Sequence, residues 1–196
     1  MLVDVKKMGS GMDLVDLIEE KRFLGQEFLT WLWWKSEERG GTIFLDDFGE
    51  VGLVFEKHMM LESGEGESSE KLTCSGLQTE LVEARTGLQV GKKLEQARIV
   101  LTRGTHEYGL TLSGALMEFR NVRLPKTDET EQPDGGSVEE VEGKILERVF
   151  LFEDLVKIIH ALFSMFLRTR IGHDWRQQLL KIREWVGETP SKEFSH

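Results

Sequence analysis

Leu94-Glu95-Gln96-Ala97-Arg98-Ile99-Val100-Leu101-Thr102-Arg103-Gly104-Thr105-His106-Glu107-Tyr108-Gly109-Leu110-Thr111-Leu112-Ser113 is the stretch that decides the fold. Apolar residues alternate with polar ones before Gly104 (Ala97, Ile99, Leu101) and after it (Leu110, Leu112). A period of two marks half-buried strands, and two such runs joined by a short glycine turn predict an antiparallel hairpin. Residues 118–124 continue the pattern as a neighbouring strand, and Pro125, which has no amide donor, ends it. Toward the N-terminus, residues 42–45 and 51–59 read as another hairpin through Asp46-Asp47-Phe48-Gly49-Glu50, with residues 71–74 as a further strand.

Helical periodicity surrounds these strands. Asp13 caps a short helix, and residues 23–38 form a longer one stopped by Gly40-Gly41. Leu29, Trp33 and Trp34 widen its apolar face beyond the stripe of Phe23, Leu24, Phe28, Trp31 and Leu32, so it should be buried on more than one side. Ser75-Gly76-Leu77-Gln78 matches a capping box and opens a helix that runs to about residue 90 and stops at Gly91. A second box at residues 137–140 opens the longest helix, residues 138–169, with Ile145, Val149, Phe152, Val156, Ile159, Phe163 and Phe166 as its apolar stripe. Gly172 ends it, and Asp174 caps a final helix carrying Trp175, Leu179, Ile182 and Val186.

These elements predict one α+β domain over residues 13–187. An antiparallel sheet of about five or six strands is covered by the Trp-rich N-terminal helix and the long C-terminal helix. A doubly wound parallel sheet would need more helices between its strands. Residues 1–12 and 188–196 are expected to be flexible.

The chain has 196 residues, 39% of them apolar, including 11 Phe and 5 Trp. That content supports a core and excludes a disordered or collagenous chain. Cys74 has no partner for an internal disulfide, and no secretory signal opens the sequence, which predicts a cytosolic protein. The most apolar stretch, residues 158–167, is half the length a bilayer requires, so no membrane partner is expected.

With 25 basic against 35 acidic residues the net charge is −10, and the pI is about 5.1. The excess is local. Residues 62–70 carry −4 and residues 125–142 carry −6, and both read as solvated, mobile loops, leaving a neutral body. Within that body, residues 85–103 (Arg85, Lys92, Lys93, Arg98, Arg103) and 168–183 (Arg168, Arg170, Arg176, Lys181, Arg183) each carry +4.

No catalytic constellation is legible. Residues 87–93 fall one residue short of a phosphate-binding loop, lack its hydroxyl and follow a helix. Cys74, His58 and His106 lack metal-ligand spacing, although a distant Cys–His pair stays open. Asp46, Asp47, Glu50 and Glu56 surround one hairpin, where turn chemistry explains them as well as a Mg²⁺ site would. No metal or cofactor is expected.

Lys21-Arg22-Phe23-Leu24-Gly25-Gln26-Glu27-Phe28-Leu29-Thr30-Trp31-Leu32-Trp33-Trp34 resembles a segment of RdgC-like proteins, a recombination-associated, nucleoid-bound family. Leu72-Thr73-Cys74-Ser75, Gly91-Lys92-Lys93, Ala97-Arg98 and Leu124-Pro125-Lys126 add similar order. The resemblance implies a non-catalytic, ring-forming homodimer that binds duplex DNA without sequence preference and restrains a recombinase. The ten cations above, chosen for local charge, are the candidate phosphate contacts. Phe23, Trp31, Trp33, Trp34, Phe163 and Phe166 are the candidate subunit interface. The alternative is a non-enzymatic module that binds another protein through its acidic loops or aromatic helix.

Overall fold

The structure, a computed structural model, describes residues 22–63, 70–75, 79–126 and 138–187. In chain order these form α1 (Arg22–Glu37) with a 3-10 turn (Glu38–Gly41), β1 (Thr42–Leu45), β2 (Gly49–Ser63), β3 (Glu70–Ser75) and α2 (Thr79–Gln89). There follow β4 (Lys93–Arg103), β5 (His106–Ser113), β6 (Phe119–Arg123), α3 (Val138–Ile171) and α4 (Trp175–Val186). The chain is of the α+β class, with an antiparallel sheet of six strands among the described residues.

The β4–β5 hairpin is the centre of the sheet. Ile99 pairs with Leu110 and Leu101 with Tyr108, all four fully buried, and Gly104 makes the turn with a positive φ of 57°. β2 is long enough to serve three partners. Its one edge holds β4, while its other edge takes β1 at residues 49–52 and β3 at residues 58–63. An irregularity between Phe55 and Met59 lets the long strand bend between them.

α1 crosses the inner face of this sheet. Gly25 seats it: a Cβ there would stand 1.7 Å from the carbonyl oxygen of Gly114 in the turn after β5, so only glycine lets the two backbones approach this closely. Gln26 Nε2 donates at 2.8 Å to buried Glu95, which also accepts from Ser113 Oγ and the Ala115 amide, each at 3.3 Å. On α1's other sides Phe28 meets Phe163 edge-on at 5.1 Å, and Trp33 meets Trp185 edge-on at 4.9 Å. Trp31 Nε1 donates to Gln178 Oε1 at 3.1 Å. A helix apolar on more than one side belongs between two layers, and α1 lies between the sheet and α3 with α4.

This placement corrects the interface expected of the aromatic residues. Trp31, Trp33, Trp34 and Phe166 are 1%, 1%, 6% and 0% exposed and pack within their own chain, and Phe163 is half-buried against Phe28. The side chain of Phe23 lies outside the described residues. Two smaller corrections concern ends. Asp174 stands at the N-cap position of α4, but its backbone is in the αR region and its side chain makes no cap hydrogen bond. The ends of the first acidic segment are strand, since Glu62 pairs with Lys71 and Ser63 with Glu70. The rest of that segment, residues 64–69, lies outside the described residues, as do residues 127–137 and the capping residues Gly76 to Gln78 and Ser137.

Candidate interaction surface on the long helix

At 34 residues α3 is about 50 Å long at 1.5 Å per residue. Only part of the apolar stripe legible in the sequence is covered by the body. Burial begins at Leu151 and continues through Leu155, Ile158, Ile159, Leu162 and Phe166, whereas residues 141–150 are all exposed. Val141, Ile145, Val149, Phe152 and Val156, at steps of four, four, three and four, therefore form an uncovered apolar stripe on one side of the helix. Leu146 and Phe150 form a second ridge, with Phe150 67% exposed. Taking whole-residue surfaces of about 150–200 Å², these exposures add to on the order of 600 Å², the upper end of what a monomer ordinarily leaves uncovered.

The root of this arm is pinned to the central hairpin. Arg103 Nη1 donates to Asp154 Oδ1 at 2.5 Å, and the Tyr108 hydroxyl donates to Oδ2 at 2.7 Å. Arg103 also lies over the Phe48 ring, 5.2 Å from its centroid. Burial, then the hydrogen bond to Asp154 and its negative charge, push the Tyr108 hydroxyl well above its ordinary range, with Arg103 acting in the opposite direction. Tyr108 therefore remains a neutral donor. Both oxygens of Asp154 are engaged, so the trio holds the helix at its point of departure. Beside it opens a cleft of about 1110 Å³ between Phe48, Arg103 and His106 on the sheet side and Leu146, Phe150 and Asp154 on the helix.

The ten candidate phosphate contacts are spread over the molecule, and most face carboxylates. Arg85 pairs with Glu37 and stacks on Trp185. Lys92 holds Glu70 at 3.0 Å and Ser63 Oγ at 3.2 Å. Arg98 pairs at 2.6 Å with Glu56 on the outer face of the sheet, where Arg123 shares the same carboxylate. Arg103 is held by Asp154, and Arg170 pairs with Glu27 at 2.8 Å while stacking on Trp175. Arg168 stands 4.0 Å from Asp46. Lys93, Arg176 and Lys181 are exposed and make no ion pair among the described residues, and Arg183 is exposed on α4. The ten therefore form no single basic surface; α4 carries three of them, Arg176, Lys181 and Arg183, all exposed.

Other chemistry considered from the sequence does not assemble. Among the described residues no three His, Cys, Asp or Glu side chains gather as metal ligands. Asp46 and Asp47 are exposed in their turn, while Glu56 is clamped between two arginines. Cys74 is buried opposite Met59, and the neighbouring strand position places exposed His58 on the other side of the sheet.

Sequence reasoning missed the Arg103–Asp154–Tyr108 trio, although a signal was present. Asp154 lies on the helix face that also carries Leu151, Leu155 and Ile158, where a carboxylate requires partners. Comparison with known proteins returns no family model, no curated protein and no solved structure that matches this chain.

Proposed function

We propose that the chain is a non-catalytic protein-interaction module that engages its partner through the exposed N-terminal half of α3. The observation that carries this reading is the stripe Val141, Ile145, Val149, Phe152 and Val156, held away from the core on a helix whose root is fixed by Asp154. Uncovered apolar surface of this extent, rimmed by charge, marks association surfaces. The test places a photo-crosslinking side chain at position 152 and, as control, at exposed Gln177 on α4. The expected result is a protein adduct from position 152 and none from 177; absence of any adduct from 152 overturns the reading.

A second reading, duplex-DNA binding of the kind the RdgC-like resemblance implies, is supported by the exposed Arg176, Lys181 and Arg183 on α4 and the exposed Arg168 on α3. Four phosphate contacts give log K against log salt a slope of about −3.6. Arg176→Glu with Lys181→Glu then weakens binding to every sequence alike, since phosphate contacts carry no sequence information. Lack of binding to a random duplex at low salt removes this reading.

A further inference from the structure

We infer that the occupant of the stripe is a second copy of this chain, its α3 lying parallel to the first. The inference rests on the reading of the stripe as an interaction surface and adds what covers it. At about 100° per residue, four of the exposed residues fall at the core positions of a heptad frame, with Val141, Leu146 and Phe150 outside them. Val149 and Val156 take its a positions, Ile145 and Phe152 its d positions. The seam has natural limits. The preceding a position is Glu142, and the following d position is Ile159, which the chain's own core already buries. Valine at a is the choice that favours two-stranded pairing.

The flanks of the seam differ in sign, and this selects the orientation. One flank carries Lys144 and Arg148, the other Glu153. In a parallel pair the g position of one helix meets the e position of its partner five residues on, which brings Arg148 to the partner's Glu153, twice by the two-fold symmetry. An antiparallel pair sets each flank against its own copy, arginine against arginine. Glu153 is free to accept this bond, since its intrachain pair with Lys157, at 3.3 Å, is exposed on both sides.

Charge and area also fit a second copy. Copies carrying −10 each repel one another, but residues 144–157 hold three bases and three acids and are locally neutral. The seam residues Ile145, Val149, Phe152 and Val156 expose on the order of 300 Å² of apolar surface, which with the charged flanks makes a small interface of the weak, concentration-dependent class.

Sedimentation of the full chain at micromolar concentration tests this. The expected result is a dimer of the 22.5 kDa chain that Val149→Asp or Phe152→Asp converts to monomer, with the circular dichroism of a folded protein retained. Arg148→Glu and Glu153→Arg should each weaken the dimer about tenfold by placing like charges together, and combining them should restore it. A wild-type monomer at 100 times that concentration overturns the inference, and so does a double reversal that weakens further. A dimer strengthened by Arg148→Glu alone overturns the parallel orientation. An adduct from position 152 with a different protein, together with a wild-type monomer, leaves the interaction module standing and removes the second copy.

Discussion

Asp154 accepts from Arg103 and from Tyr108, and its removal orphans both. Asp154→Ala should lower unfolding stability by about 2 kcal/mol in urea titration, because a buried hydroxyl and a half-buried guanidinium lose their charged acceptor. Tyr108 carries a sign that pH can read. Its hydroxyl keeps its proton in the folded state beyond the pH at which the unfolded chain releases it, so the unfolded state binds fewer protons above pH 10. Its contribution is complete below pH 10 and declines as pH rises beyond it. Stability measured between pH 8 and pH 11 should fall on the alkaline side, and Tyr108→Phe should flatten that fall. Gly25→Ala should be the most damaging small change, about 3 kcal/mol or more, since the new methyl meets the Gly114 carbonyl and neither backbone is free to yield. A thermal melt of Gly25→Ala equal to wild type would refute the close approach. The importance of Gly25 was not legible in a single sequence, where a glycine one turn into a helix reads only as a weak helix former.

Among the elements, α3 shows where sequence periodicity informs and where it stops. The stripe from Ile145 to Phe166 was legible as apolar at helical spacing, and so was the multi-sided burial of the Trp-bearing α1. Periodicity says which residues share a face but not whether anything covers that face. Coverage depends on how far the body reaches, and here it ends at Leu151. The β4–β5 hairpin was readable for a different reason, since its turn carries glycine and its strands alternate around it, whereas β2 runs past the expected end at residue 59 to Ser63. The pairing of cations with acids was hidden, because Arg98 and Glu56 meet only through the register of β2 on β4. The exposed half of α3 also contains Gly143, with open space around its position. Gly143→Ala should stabilise that half by about 1 kcal/mol, the difference in helix propensity. Slower amide exchange over residues 141–150, with the core unchanged, would show it.

At the scale of the whole molecule, the first described helix depends on the last ones. Trp31 and Trp33 are finished by Phe166, Gln178 and Trp185. On a ribosome adding 5–20 residues per second, the roughly 150 residues between Trp33 and Trp185 take about 8–30 s to appear. Throughout that interval the three tryptophans of α1 have a sheet on one side and no lid on the other. The nascent chain is therefore a client for holding chaperones until its C-terminal helices emerge, and a chain stopped at residue 137 should be recovered as aggregate even though every strand of the sheet has been made.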